Sequence, residues 1–529
     1  MATGRALPSR SLTKPELAVF VSGVASMGLE ILAGRIVAPH FGSSIYTWGG
    51  IITVFLAALS LGYWRGGKRA ASYASTERLI WLLLLTAVYV AIVIFARDML
   101  LMSTTTIPLP GRYASLPAII ILFGPPTYLL GFISPYAAEL SHKEGIGEAS
   151  GHVYAVGTIG SILGAGATTF FLIPAMSIDG IGLLFGFLLV GTAVALALPS
   201  LPRAPIVGAV IVSLLLVAAA GSGAMGIDHR GEVIYETQTP YQQLEVIDDG
   251  NERTMYLDGT RHSATDLEEP DRHVFSYTRY FHLAMLAADD PERVLFVGGG
   301  GYTGPQDFEQ RYDVEVDVVE IDPEVTAAAE EYFGLEQSEN LTAHTDDGRT
   351  FLQETEETYD VIVLDAYKQD QVPFELTTVE FMALAEDRLS DDGALLANVV
   401  SSPSGPASDF YRAQYRTMDE PFSNVYAFRT SDSNAIQNIQ LLATKDDERL
   451  TPADLHERNA DLEGAPDLER EIDHYLEDVA TADVPGLDDA RAPVAELRDP
   501  MVGQRYVVEE TERESGDGGG AAPRVSAPP

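Results

Sequence analysis

The sequence predicts an α-helical multi-pass membrane bundle followed by an α/β doubly wound domain with a small N-terminal β-hairpin sheet. Three observations carry this reading. Apolar stretches of bilayer-spanning length are confined to the first 228 residues, and short β-branched runs alternate with helical ones after Gly231. Charge divides along the same line: up to Asp228 there are 12 Lys+Arg and 9 Asp+Glu, a net of +3, whereas the remainder carries 22 and 67, a net of −45. At about 100–200 residues per domain, 529 residues exceed one simple domain. The absence of cysteine excludes a disulfide scaffold, a Cys nucleophile and a Cys-ligated zinc site.

Seven apolar stretches are long enough to cross a bilayer, which takes about 20 helical residues. They run near Leu17–Ala38, Trp48–Trp64, Leu79–Ala96, Leu116–Tyr136, His152–Ala175, Ile178–Leu198 and Pro205–Ala220. Hydrocarbon offers no partner to a free backbone, so each must be a helix. Pro125-Pro126 is expected to interrupt the fourth. One cleaved signal peptide cannot account for seven stretches. Arg5, Arg10 and Lys14, with Arg65, Lys68, Arg69 and Arg78, put the N-terminus in the cytoplasm. Seven crossings would then place the acidic half outside, whereas its chemistry calls for the cytoplasm. The expected location is the cell membrane with a cytoplasmic catalytic domain, which needs one missed or re-entrant segment. Glu30 lies inside the first stretch, with Arg35 nearby; an ionisable group at that depth is either functional or a structural pair. Gly157, Gly160 and Gly164 fall on one helical face and predict close helix packing.

After Gly231, Ile234–Asp248 and Thr254–Asp258 read as a small antiparallel sheet turning at Asp248-Asp249-Gly250-Asn251. A helix is expected over His273–Ala287, then buried strands at Val294–Val297, Val314–Glu320, Leu341–His344, Val361–Leu364, Ala394–Val400 and Asn438–Ala443. This alternation implies a doubly wound, Rossmann-like sheet with ligands at the strands' carboxyl ends. The predicted divisions are 1–228 for the bundle, 229–290 for the small sheet and linking helix, and 291–445 for the Rossmann-like domain. An acidic helical extension over 446–513 and a disordered Gly/Pro/Ser-rich tail over 514–529 follow. With only five lysines and acids spread throughout the soluble half, the surface reads as halophilic, adapted to molar salt.

Four strand ends carry the chemistry. Val294-Leu-Phe-Val runs into Gly298-Gly299-Gly300-Gly301, where glycines let backbone approach a ligand. About 20 residues on, a strand ends in Glu320, the position that grips ribose hydroxyls in nucleotide-binding α/β folds. Asp346-Asp347-Gly348 ends the next strand and Asp365 the one after. Each has an ordinary reading: a tight turn, a capping acid, a surface turn, a loop carboxylate. Together, in this order, they favour one nucleoside-binding crevice.

On these motifs the soluble half resembles the spermidine synthase (polyamine aminopropyltransferase) family, and the whole chain resembles its membrane-fused, transporter-like members. Leu29-Glu30-Ile31, Phe41-Gly42-Ser43-Ser44 and Tyr154-Ala155-Val156-Gly157-Thr158-Ile159-Gly160 are similar to that group, as are Tyr241-Gln242 and Leu257-Asp258-Gly259. The resemblance implies a methyltransferase-type fold and decarboxylated S-adenosylmethionine or S-adenosylmethionine as co-substrate, with no metal. It implies Gln242 at the thioadenosine, Gly298, Gly299 and Gly300 beneath it, Glu320 on the ribose, Asp347 and Gly348 at the adenine, and Asp365 as the base that deprotonates the attacking amine. Tyr277, Tyr302, Tyr367 and Asp370 are the expected substrate-binding residues. Implied partners are a small-molecule amine (a polyamine) and the lipid bilayer, with no nucleic acid; a homo-oligomer is left open.

Departures from the family pattern concern the acceptor. Gly301-Tyr302 stands where the family's glycine loop carries an aspartate, Ser276-Tyr277-Thr278 replaces Tyr-His-Glu, and Lys368 occupies the place of a second acid, with Asp370 and Pro373 beyond it. Losing anionic amine ligands weakens the grip on a dication. Two alternatives therefore stand beside an aminopropyltransferase: an S-adenosylmethionine-dependent methyltransferase-like enzyme, and a non-catalytic nucleoside- or polyamine-binding domain regulating a membrane transporter.

Overall fold

The computed structural model describes residues 13–41, 45–105, 107, 109–140, 146–224, 231–366, 372–462, 464–501, 504 and 506–511. The chain divides into two compact units, Met1–His229 and Arg230–Pro529.

Among its described residues the regular structure of the first unit is all helical: α1 (Lys14–Phe41), α2 (Ile45–Tyr73), α3 (Thr76–Thr105), α4 (Gly111–Ala114), α5 (Leu116–Gly131), α6 (Ile133–Glu139), α7 (Ile146–Ala167, continued by a π turn over Thr168–Leu172), α8 (Ile178–Ala197) and α9 (Arg203–Ala224). Among the described residues seven helical segments are long and apolar enough to cross a membrane. The expected break at Pro125-Pro126 is not there. Helix α5 runs through both prolines and the discontinuity falls at Phe132. A neighbouring side chain explains the tolerance. Pro125 cannot donate to the carbonyl of Ile121, and the Tyr89 hydroxyl of α3 donates to it instead, at 2.7 Å. Glu30 and Arg35 are both half-buried on α1.

The glycine face of α7 packs as its spacing predicts. A Cβ on Gly160 would lie 2.2 Å from the Phe20 carbonyl oxygen, and one on Gly164 2.3 Å from that of Val24, both backbone atoms of α1. Gly160→Leu should therefore force the two helices apart and cost on the order of 1–3 kcal/mol or more. Gly166→Ala meets nothing within 4 Å and should be neutral. Thermal unfolding of the two variants in detergent checks the contrast, and equal melting temperatures would refute the close packing.

The second unit opens with a four-stranded antiparallel meander, β1 (Glu232–Gln238), β2 (Gln243–Asp249), β3 (Glu252–Leu257) and β4 (Thr260–Asp266). The run Ile234–Asp248, expected as one strand, is two. Thr239 Oγ1 accepts from the Tyr241 and Gln242 amides and folds the chain back at Pro240. The next strands and helices are α10 (His282–Ala287), β5 (Arg293–Val297), α11 (Thr303–Arg311), β6 (Glu315–Glu320), α12 (Pro323–Tyr332), β7 (Leu341–Thr345), α13 (Gly348–Glu354), β8 (Tyr359–Leu364), α14 (Val379–Asp387), β9 (Leu389–Ser401), α15 (Asp409–Met418), β10 (Asn424–Arg429) and β11 (Gln437–Thr444). Their sheet order is β10-β11-β9-β8-β5-β6-β7. Strands β9, β8, β5, β6 and β7 run parallel, while β11 inserts antiparallel between β9 and β10. The order reverses between β5 and β8, so the ligand crevice belongs at their carboxyl ends.

One expectation is corrected here. The helix over His273–Ala287 is a 3₁₀ turn (Ser276–Phe281) followed by the short α10. Its start is pinned by strand-like bonds to the C-terminal segment, Ser276 N–H to Glu509 O and Thr511 N–H to Val274 O, which an α-helix there would break. The extension over 446–513 is helical in parts: its described residues form α16 (Pro452–Asp461), α17 (Glu469–Asp473), α18 (Val494–Arg498) and a 3₁₀ turn (Asp499–Met501). It wraps back onto the domain, burying Leu468, Val484, Leu487 and Met501 in its cores. The tail over 514–529 lies outside the described residues, as do Gly42, Ser43 and Ser44.

Candidate active site

The crevice is built around the end of β5 and the residue that follows it. Gly298 has φ +101°, open to glycine without strain, and a Cβ there would lie 2.6 Å from the Asp365 carbonyl oxygen. The glycine is thus what lets the loops after β5 and β8 meet. Glu320, buried at the end of β6, accepts from the Gly299 amide at 2.9 Å with one oxygen and from the Asp322 amide at 3.0 Å with the other. It therefore sets the shape of the glycine loop. Asp322 caps α12 and, with no exposed surface, accepts from Thr239 Oγ1 at 2.7 Å and Gln242 Nε2 at 3.1 Å. Gln242 is thereby tied to the Glu320 turn, with its amide donor on Asp322. Asp347 caps α13, accepting from the amide and hydroxyl of Thr350 through Oδ1. Gly348 follows because a Cβ would lie 2.5 Å from Val297 Cγ1.

Asp365 follows β8 beside this loop. Its amide donates to the Val297 carbonyl, and its Oδ1 accepts from Asn398 Nδ2 at 2.7 Å. Burial pushes its carboxyl up to about 7, against the opposing effect of the Asn398 hydrogen bond. Asn398 is itself fixed, its Oδ1 accepting from Asn438 Nδ2 and Gln440 Nε2, both at 2.8 Å. The Tyr506 hydroxyl in turn donates to Asn438 Oδ1 at 2.7 Å. Burial and the Asp365 charge raise both Tyr277 and Tyr506 above the ordinary phenol range, so both stay protonated donors. A cavity bounded by Ser263, Phe275, Tyr277, Gly298, Gly299 and Asp365 opens in front of this group, and Asp365 is the one acid among the described residues lining it.

The structure thus gathers Gln242, Gly298, Gly299, Glu320, Asp347, Gly348, Tyr277 and Asp365 about the end of β5. Gly300 takes φ +52° in the same loop. Tyr302 is a correction. Its backbone is left-handed at φ +58°, which turns the ring beneath Gly299; the side chain is fully buried, with its hydroxyl on Thr326 Oγ1 at 2.8 Å. It supports the loop from below and offers nothing to a substrate. Tyr367 and Asp370, with Lys368, lie outside the described residues. Asn398, Asn438, Gln440 and Tyr506 were not anticipated. The available signal was the amides within otherwise apolar strand runs, since a buried polar group is the informative exception.

The family model described as a spermine/spermidine synthase domain matches residues 274–412. Among curated proteins, the polyamine aminopropyltransferase of Vibrio vulnificus is 31% identical over 224 residues, covering 41% of this chain and 73% of that protein. The polyamine aminopropyltransferase of Chromobacterium violaceum is 28% identical over 233 residues, covering 43% and 86%. Among solved structures, a probable spermidine synthase from Corynebacterium glutamicum aligns at 18% identity with a TM-score of 0.40, covering 50% of this chain and 97% of that one.

Proposed function

The chain belongs to the spermidine synthase (polyamine aminopropyltransferase) family and is a transferase, and from that premise we propose that it moves the aminopropyl group of decarboxylated S-adenosylmethionine to an amine, with Asp365 as the base. The observation that carries the reading is Asp365 itself, a carboxyl at the switch point, lifted to about 7 and held by an amide network against the glycine loop. An alkylammonium must lose a proton before its nitrogen can attack the carbon next to the sulfonium. A carboxylate poised near neutral pH is matched to that task. The network fixes Oδ1 on Asn398 and so orients the carboxylate before substrate arrives.

Glu320 meets the ribose and Asp347 with Gly348 the adenine, while Gly298 and Gly299 line the floor beneath the sulfonium. One lining carboxylate balances one ammonium, so the acceptor fits best as an amine whose second charge lies outside the cavity. The helical unit anchors the enzyme in a bilayer. Its helices carry large apolar side chains outward, Phe170 at 74% and Phe171 at 72% exposed among them, which lipid would cover.

Assaying the purified full chain with labelled decarboxylated and intact S-adenosylmethionine against diamines, agmatine and longer polyamines tests the reading. Label should reach an amine only from the decarboxylated form, and kcat/KM should rise with pH through about 7 as free Asp365 ionises. Methyl transfer from the intact form would replace this reading with a methyltransferase. Binding of a nucleoside with no transfer would replace it with a regulatory domain.

A further inference from the structure

Beside the crevice lies a second cluster that the transfer reaction does not use. His273, His282 and Asp307 offer ligand atoms that all lie within 4.8 Å of one another. His273 Nε2 stands 3.3 Å and His282 Nε2 3.1 Å from Asp307 Oδ2. The two histidines are 6% and 0% exposed, yet these three atoms have no hydrogen-bond partner, because neither close approach has hydrogen-bond alignment.

The other ring nitrogens explain what is being aimed. Thr278 Oγ1 donates to the Phe275 carbonyl at 2.8 Å, so in its 2.7 Å contact with His273 Nδ1 it must accept. His273 therefore carries a proton on Nδ1, and its Nε2 faces the carboxylate. His282 Nδ1 meets the Tyr312 hydroxyl at 2.9 Å, a contact in which either group can be the donor. A cation between an unprotonated Nε2 and the carboxylate oxygen would satisfy both. Ligands at about 2.0–2.2 Å from a tetrahedral zinc stand roughly 3.3–3.5 Å apart and point at a common centre, not at each other. The two nitrogen–oxygen separations, 3.1 and 3.3 Å, are close to that spacing, and all three ligand atoms lie within 4.8 Å of one another. Hydroxyl partners on Nδ1 are also the outer shell that fixes a metal-binding histidine's tautomer.

We propose that His273, His282 and Asp307 form a binding site for a first-row divalent transition cation of the zinc class, with a fourth position open to water. Two nitrogens and one carboxylate oxygen suit such an ion better than magnesium or calcium, which favour all-oxygen sets. The site is structural. Asp307 lies on α11, the helix that follows the glycine loop, while His273 and His282 bracket the segment carrying Tyr277. Thr303, Gly304 and Pro305 of that helix and Val274, Phe275, Tyr277, Thr278 and Phe281 of that segment all line the cavity holding Asp365. An ion there would lock the helix to the segment. It takes no part in the alkyl transfer, which needs no metal.

The test uses the untagged full chain, stripped with chelator and titrated with Co²⁺ and Zn²⁺. We expect about one Co²⁺ per chain with a visible ligand-field absorption, displaced by Zn²⁺, and a melting temperature raised by several degrees when the ion is bound. Asp307→Asn and His282→Ala should abolish the absorption. Thr278→Val, which leaves all three ligands in place and guards against misfolding of the others, should weaken binding about 10–100-fold. A wild-type chain that binds neither ion stoichiometrically overturns the proposal. So does unchanged Co²⁺ binding in Asp307→Asn and His282→Ala.

Discussion

Asp365→Asn is expected to lower aminopropyl transfer by about 10²–10⁴-fold, the usual contribution of a positioned general base, while nucleoside affinity stays within a few fold. The variant is nearly isosteric, and the oxygen of the introduced amide can still accept from Asn398, so the network beneath it survives. What disappears is the group that takes the ammonium proton. The same change has a signature in stability. Because the folded-state carboxyl is raised to about 7 from an unfolded value near 4, the folded chain holds its proton longer than the unfolded one does. Ionising Asp365 therefore costs stability, and the cost is absent below about pH 4, grows as pH rises to 7, and is constant above. Wild type should lose stability relative to Asp365→Asn across that window. Parallel melting curves of the two proteins from pH 4 to 8 would contradict the burial argument, whatever the kinetics show.

Glu320→Ala is expected to abolish function by a different route. Its two oxygens hold the Gly299 and Asp322 amides, and removing them strands a buried N–H, at a cost of about 1–3 kcal/mol, and frees the glycine loop. On the proposed function the contact with the ribose is lost as well. Affinity for the nucleoside should fall by about 100-fold or more, corresponding to one or two hydrogen bonds to a charged group, and the melting temperature should drop. Glu320→Gln, which can keep only one of the two amide acceptors, should fall between. Nucleoside affinity unchanged in Glu320→Ala would remove this residue from the site.

The contrast between these residues and those found only in three dimensions shows what a sequence exposes. Glu320, Asp347 and Asp365 were legible because each ends an apolar strand run, and parallel strands in a doubly wound sheet deliver such ends to one edge. The seven helices long and apolar enough to cross a membrane were legible from hydropathy alone. Tyr302 was misassigned because its role depends on a left-handed backbone angle that directs the ring under Gly299, and tyrosine gives no local warning of that conformation. Asn398 and its partners were missed for a topological reason. Asn438 and Gln440 reach Asn398 only because β11 inserts antiparallel beside β9, and Tyr506 arrives from a segment that leaves the sheet and returns. The extra strand β10 and the 3₁₀ start of the His273–Ala287 segment likewise depend on pairing with distant chain. The continuity of α5 through two prolines depends on a tyrosine 32 residues away from the carbonyl it satisfies.

The most direct test is titration calorimetry of decarboxylated S-adenosylmethionine into wild type, Glu320→Ala and Asp365→Asn under one set of conditions. If the strand-end carboxylates enclose a single adenosyl ligand, wild type and Asp365→Asn bind one equivalent with similar affinity and Glu320→Ala binds at least about 100-fold more weakly. No heat with the wild-type chain, or equal binding by all three proteins, would contradict it.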